Sequence, residues 1–166
     1  RISIELCDYR KVEGKFSKTV SIEMLEAVGH ENLGEYFAAV SRLLVPGGLA
    51  VIQVITIPDG RYYWYCRTSD FIRKHIFPGG HLPCLAALQA AARSSQFEIQ
   101  EIENIGMHYV PTLRLWREHL RTNSGAIRAL GFGEDFLRKW EFYFAYCEAG
   151  FAECLIDNLQ FVVRKH

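Results

Sequence analysis

Apolar residues recur along this chain in two rhythms, and the rhythms predict where strands and helices lie. In "KTVSIEM", residues 18–24, Val20, Ile22 and Met24 alternate with smaller or polar neighbours, as in a short strand. Residues 32–44, "NLGEYFAAVSRLL", place Leu33, Phe37, Val40 and Leu44 three or four apart, the stripe of an amphipathic helix. "VPGG" at 45–48 carries the Pro and Gly punctuation of a helix end. "LAVIQVITI", 49–57, is almost wholly apolar and rich in Val and Ile, which predicts a strand covered on both faces. Strand, helix and buried strand in about 40 residues form a βαβ unit.

The following stretch is less regular. Helices are predicted at 67–76 and 84–93 around the Pro/Gly loop "FPGGHLP". "FEIQEIENIG", 97–106, alternates imperfectly through Phe97, Ile99, Ile102 and Ile105 and reads as another strand. Two more helices, 111–130 and 134–150, meet around Gly131 to Gly133, and "LQFVVRK", 159–165, reads as a final strand. The pattern predicts an open α/β sheet of about four strands, whose ligands lie outside the carboxyl ends of the strands. Glu23 and Glu26 fall at such an end, where burial would make their charge costly unless a pocket uses it.

Composition narrows the function classes. A chain of 166 residues, 49% apolar, suits one domain with a sizeable core. Lys plus Arg equals Asp plus Glu at 19 each, so charge makes no case for nucleic acid or an anionic membrane surface. The five cysteines form no CxxC pair, which argues against a disulfide framework or a zinc site and suits a reducing compartment. The histidines lack HxxxH or HxH spacing, so no metal is expected. No apolar run approaches the roughly 20 residues of a membrane span.

Several residues are candidates for chemistry, each with an ordinary structural explanation beside the functional one. Glu26 suits a helix N-terminus as well as a site. Gln53, inside an apolar strand, must find partners or line a pocket. Tyr109, in "MHYVPTLRLW", lies between a strand and a helix, where a rim tyrosine is common. Cys147, among Tyr143, Phe144, Tyr146 and Phe151, can act simply as a small hydrophobe. These residues alone do not name a reaction.

Four blocks in series do. "VSIEMLEAVGHENLGEYFAAVSRLL", "IFPGGHLP", "IGMHYVPTLRLWRE" and "YFAYCEAGF" resemble the carboxyl-terminal half of cyclopropane-fatty-acyl-phospholipid synthases, a group that includes the mycolic acid cyclopropane synthases. "IPDGRYYWYCRTSDFIRKHIFPGG" leans toward the versions of plants and similar eukaryotes. The resemblance implies a class I S-adenosylmethionine-dependent methyltransferase fold, Rossmann-like, with a helical insertion before the last strand. It implies methyl transfer to a cis double bond of a membrane phospholipid acyl chain, ring closure to a cyclopropane, and a bound bicarbonate as proton acceptor. It further implies a cytoplasmic protein touching the membrane peripherally, with a homodimer as one arrangement. Glu26 and Tyr109 match the residues of the bicarbonate network, and Cys147 matches a reactive cysteine near the substrate. Asp8, Tyr9 and Arg10 match the segment beside the cofactor adenine, while Ile22 and Glu23 match the strand end that passes cofactor and ion.

Two departures count. Gln53 stands where bacterial members carry an ion-binding histidine; an amide donates a hydrogen bond but carries no proton at neutral pH. The resemblance also places the glycine-rich cofactor loop, the acidic ribose ligand and a further cysteine segment ahead of Arg1, making 1–166 the carboxyl-terminal part of one methyltransferase domain. Two other readings stand beside the lipid enzyme. One is an amine N-methyltransferase, disfavoured because Ala27 rather than His follows Glu26. The other is a non-catalytic fragment or degenerate copy that contacts lipid or forms dimers. Calorimetry on residues 1–166 alone is expected to detect no S-adenosylmethionine binding; micromolar affinity would place the cofactor site within these residues.

Overall fold

The computed structural model describes residues 2–166. Four strands form one sheet: β1 (Phe16–Ile22), β2 (Leu44–Thr56), β3 (Phe97–Asn104) and β4 (Asp157–Lys165). Their order is β1-β2-β4-β3, with β1 parallel to β2 and β4 antiparallel to both of its neighbours. The chain reaches the edge with β3 and returns through β4 into the slot beside β2. That return puts the start of β4 beside the carboxyl ends of β1 and β2.

Helices α1 (Leu33–Leu43) and α4 (Leu85–Ser94) cover one face of the sheet. Their stripes bury Tyr36, Phe37, Leu88 and Ala92 against Ile52, Val54, Phe97, Phe161 and Val163. Phe37 meets Phe97 and Phe161 edge-on, at centroid distances of 6.2 and 6.4 Å, a geometry that ring quadrupoles favour. At the end of α1, Lys165 Nζ donates to the carbonyls of Ser41 and Leu44 at 2.7 and 3.0 Å, satisfying acceptors that the helix leaves free. Short helices α2 (Asp59–Tyr65) and α3 (Phe71–His75) bridge β2 to α4. Toward the other face, α5 (Gly106–Thr122), α6 (Ser124–Ala129) and α7 (Glu134–Ala152) form the insertion before β4. Arg114 and Arg117 of α5 both reach Glu148 of α7 at 3.0 Å.

Several expectations from the pattern change. "VPGG" does not stop the chain between helix and strand, because β2 begins at Leu44 and runs through it. Gly47, at φ +74°, lets the segment bulge, and pairing with β1 steps from Phe16↔Leu44 to Lys18↔Leu49. β2 is not closed on both faces either. Its residues alternate between buried and half-buried, because only the end near Ile55 lies under α5 and α7. Finally, α5 starts at Gly106 rather than at 111, with Pro111 inside it. A Cβ on Gly106 would come within 3.1 Å of Asn158 N and Asn104 Oδ1, so glycine permits the helix to start against β4. That early start carries Tyr109 into the first turn of α5, above the sheet.

β1 and β3 are the two outer strands among the described residues, and Val20 and Ile22 remain largely exposed on β1. The core beneath β2 and β4 is the best test of the packing. Phe161→Ala is expected to cost about 3–5 kcal/mol in chemical denaturation, since Phe161 is fully buried against α1. A cost below about 1 kcal/mol would show that the site collapses freely and that this core does not hold the sheet.

Candidate functional site

The site is built where β1 stops. Glu23 N donates to the Gln53 carbonyl at 3.0 Å, and Glu23 itself adopts φ +52°, a left-handed turn that non-glycine residues avoid. The turn takes the chain off the sheet and aims the Glu23 carboxylate across the strand ends. Three side chains donate to its Oε1: Gln53 Nε2 at 2.9 Å, Tyr109 Oη at 3.3 Å and Asn158 Nδ2 at 2.5 Å. Gln53 and Asn158 lie on the same sheet face, since Gln53 pairs with Gln160 and Ile55 with Asn158. Gln53 also gives a hydrogen to Tyr109 Oη at 3.2 Å and takes one from Gln160 at 3.3 Å. Hydrogen bonds to the charged form stabilise it, so the cluster is a cradle for one negative charge.

Glu26 completes the strand end differently. Past Ile22, β1 offers β2 no further carbonyl, and Glu26 Oε1 accepts from Ile55 N at 2.6 Å instead. Its other oxygen is buried without a partner, as is Asn158 Oδ1. Burial pushes the Glu26 carboxyl up to about 7, the Ile55 N–H opposes that shift, and the nearby Glu23 charge adds to it. Burial thus favours the protonated form of Glu26 beyond that of an ordinary carboxyl.

An aromatic wall stands beside the cradle. Tyr109 stacks on Phe151 with centroids 5.1 Å apart, and Cys147 is buried with them among Leu113, Tyr143 and Phe144. Burial pushes the Cys147 thiol up to about 12, so it is a neutral, apolar part of the wall. Burial also raises Tyr109, and the Glu23 charge raises it further, so the phenol keeps its hydrogen.

The structure brings Glu23, Glu26, Gln53 and Tyr109 to one strand end and sets Cys147 behind them. Tyr9 and Ile22 lie on the other side of β1, lining a cavity of about 380 Å³ with Met24 and Tyr36. Tyr9 and Tyr36 contribute rings and Ile22 a branched chain to this mostly apolar lining. Asp8 and Arg10 are not part of that lining. Arg10 holds the Asp8 carboxyl down to about 2 through a 2.6 Å ion pair, and the two satisfy each other on the surface. Glu23 belongs with the cradle rather than with this cavity, because its left-handed turn reverses its direction.

Sequence reasoning missed Asn158 and Gln160. Their signal was a pair of amides at the head of an otherwise apolar strand, the same signal that singled out Gln53. Spacing also argued against a metal, yet His30, Cys66 and His81 converge in space.

Comparison with known proteins fits this geometry. A family profile described as mycolic acid cyclopropane synthetase matches residues 1–161. The chain belongs to this family. It is 42% identical over 164 residues to tuberculostearic acid methyltransferase UfaA1 of Mycobacterium tuberculosis, covering 98% of this chain and 38% of the relative. It is 33% identical over 152 residues to the cyclopropane-fatty-acyl-phospholipid synthase of Escherichia coli, covering 90% of this chain and 38% of that protein. The crystal structure of mycolic acid cyclopropane synthase CmaA1, complexed with SAH and CTAB, superposes with a TM-score of 0.86 at 29% identity. That match covers 95% of this chain and 58% of the solved one. The chain thus spans 38% of the length of these two relatives. Its fold is that of the class I S-adenosylmethionine-dependent methyltransferases, and its family comprises lipid methyltransferases and cyclopropane synthases. No described helix is long and apolar enough to cross a membrane.

The raised Glu26 carboxyl has a consequence for stability. The folded state keeps the Glu26 proton to higher pH than the unfolded state does, so stability falls as pH rises from about 4.5 toward about 7 and then levels. Glu26→Gln is expected to remove that slope from pH-dependent denaturation. An unchanged slope in the variant would mean that Glu26 is not the buried acid.

Proposed function

We propose that the protein containing this chain transfers a methyl group from S-adenosylmethionine to the cis double bond of an unsaturated phospholipid acyl chain and closes a cyclopropane ring. Family membership supports the reaction class, and the donors converging on Glu23 beside an aromatic wall support the mechanism. Bound S-adenosylmethionine supplies the electrophilic methyl, with Tyr9 and Ile22 as the residues of this chain suited to its adenine. The alkene π pair forms the new carbon–carbon bond to that methyl as the methyl–sulfur bond breaks, the sulfur keeping the pair and leaving as the neutral thioether, and a positive charge is left on the adjacent alkene carbon. A proton leaves the transferred methyl, and its former C–H electron pair closes the ring.

Glu23 is the proton acceptor in this reading. Gln53, Tyr109 and Asn158 hold its carboxylate beside the wall of Tyr109, Phe151 and Tyr143. The same rings face the cation with their negative π surfaces and keep water from quenching it. Burial favours the protonated form of Glu26, which leaves Glu23, with its three donors, as the carboxylate suited to carry the charge.

Bicarbonate, which the family resemblance implies as proton acceptor, finds the donors of this strand end already engaged by the two carboxylates. The Gln53, Tyr109 and Asn158 hydrogens point at Glu23, and the Ile55 N–H points at Glu26. The buried atoms left without partners, Glu26 Oε2 and Asn158 Oδ1, are acceptors rather than anion-binding donors. No step is therefore assigned to bicarbonate.

The protein acts at the membrane surface as a peripheral enzyme, because its substrate is a bilayer lipid. The relative named tuberculostearic acid methyltransferase is a methyltransferase by name rather than a cyclopropane synthase, and product analysis separates methyl addition from ring closure after the same first step. The test uses the full-length enzyme with labelled S-adenosylmethionine and either unsaturated phospholipid vesicles or a tetrahydroisoquinoline amine. Label in the acyl chain, equal turnover with and without added bicarbonate, and a loss of at least about 100-fold in Glu23→Gln are expected. Tyr109→Phe is expected to lower turnover less, since two donors to Glu23 remain. Label in the amine, or wild-type turnover in Glu23→Gln, would overturn the reading.

A further inference from the structure

Behind the turn that carries Glu26, three segments distant in sequence meet at a second polar cluster. His30 follows Glu26 by one turn, Cys66 closes α2, and His81 lies in the loop after α3. One ligand atom from each, two ring nitrogens and a sulfur, lie within 4.8 Å of one another. The Tyr62 hydroxyl sits between the rings, 2.5 Å from His30 Nδ1 and 3.1 Å from His81 Nε2. We propose that His30, Cys66 and His81 form a binding site for a divalent transition-metal ion of the zinc type, with the Tyr62 oxygen adjacent as a fourth donor.

Donor chemistry selects the ion. Two imidazoles and a thiolate suit Zn²⁺, whereas Mg²⁺ and Ca²⁺ prefer sets of oxygen ligands. Size agrees with modest adjustment. Zinc–nitrogen and zinc–sulfur bonds of about 2.0–2.3 Å in a tetrahedron set ligand atoms about 3.3–3.6 Å apart. Closing from 4.8 Å therefore takes roughly 1 Å of side-chain rotation. His30 is exposed and Cys66 half-buried, so both can make that movement.

His81 is the fixed point. It is 6% exposed, its ring packs 5.4 Å from that of Tyr65, and its backbone N–H donates to the Glu26 carbonyl at 2.8 Å. The simpler alternative is a hydrogen-bonded chain of imidazole, phenol and imidazole that binds nothing.

An ion here would not touch the reacting atoms. It would clip the His30 segment, α2 and the His81 loop together, and so brace the turn that carries Glu26. Cross-linking three segments through one ion adds binding free energy to folding.

The test needs no methyl transfer, so its outcome is separable from the function proposed above. The protein is prepared with the exposed Cys7 and Cys154 changed to serine, stripped with a chelator, and titrated with Co²⁺ and with Zn²⁺ against a chromogenic competitor. One ion per chain, a sulfur-to-cobalt charge-transfer band and a Zn²⁺-dependent rise in Tm are expected. Cys66→Ser should abolish the band. Each of Cys66→Ser and His81→Ala should weaken binding by at least the ~10–100-fold that losing even an outer partner costs. Circular dichroism establishes that the variants fold, and the parent spectrum decides the matter if one does not. Absence of stoichiometric binding or of the thiolate band in the parent would overturn the proposal, as would unchanged affinity in a folded Cys66→Ser variant.

Discussion

Everything at the candidate site depends on one carboxylate held by donors from three remote parts of the chain. Gln53 comes from near the carboxyl end of β2, Tyr109 from the first turn of α5 and Asn158 from the start of β4, and all donate to Glu23 Oε1. The return of β4 between β2 and β3 makes that convergence possible. Hydrogen bonds to an anion are electrostatically stronger at a partly buried strand end than in water, and the anion in turn orders the groups around it. The left-handed turn at Glu23, a conformation that costs roughly 1–3 kcal/mol in a non-glycine residue, persists because these bonds offset it.

The two acids at this strand end divide their work by environment. Glu26 stands in for the missing rung of β1 by accepting the Ile55 N–H, and its burial favours the protonated form. Glu23, reachable from solvent and supplied with donors, is suited to carry charge. Cys147 and Phe151 supply neither charge nor proton; they give the cleft an apolar side on which a hydrocarbon can lie.

Much of this was legible in the residues, and the remainder failed for identifiable reasons. Periodicity located all four strands, and Gln53 stood out because an amide inside "LAVIQVITI" needs partners. The start of α5 was misplaced because Pro111 looked like a helix opening, whereas Gly106 allows an earlier start against β4. The role of Glu23 was not visible, since alternation carried the strand through Met24 and hid the turn at φ +52°. Asp8 and Arg10, read as residues beside the adenine, pair with one another on the surface, outside the cavity that Tyr9 and Ile22 line. The meeting of His30, Cys66 and His81 has no linear spacing at all, so only the folding of α2 and α3 reveals it.

The most direct measurement is a high-resolution crystal structure of the full-length protein grown with bicarbonate. The account predicts the Glu23 carboxylate within hydrogen-bonding reach of Gln53, Tyr109 and Asn158, with no carbonate species between them. A carbonate or bicarbonate ion seated on those three donors, with Glu23 swung out to solvent, would contradict it.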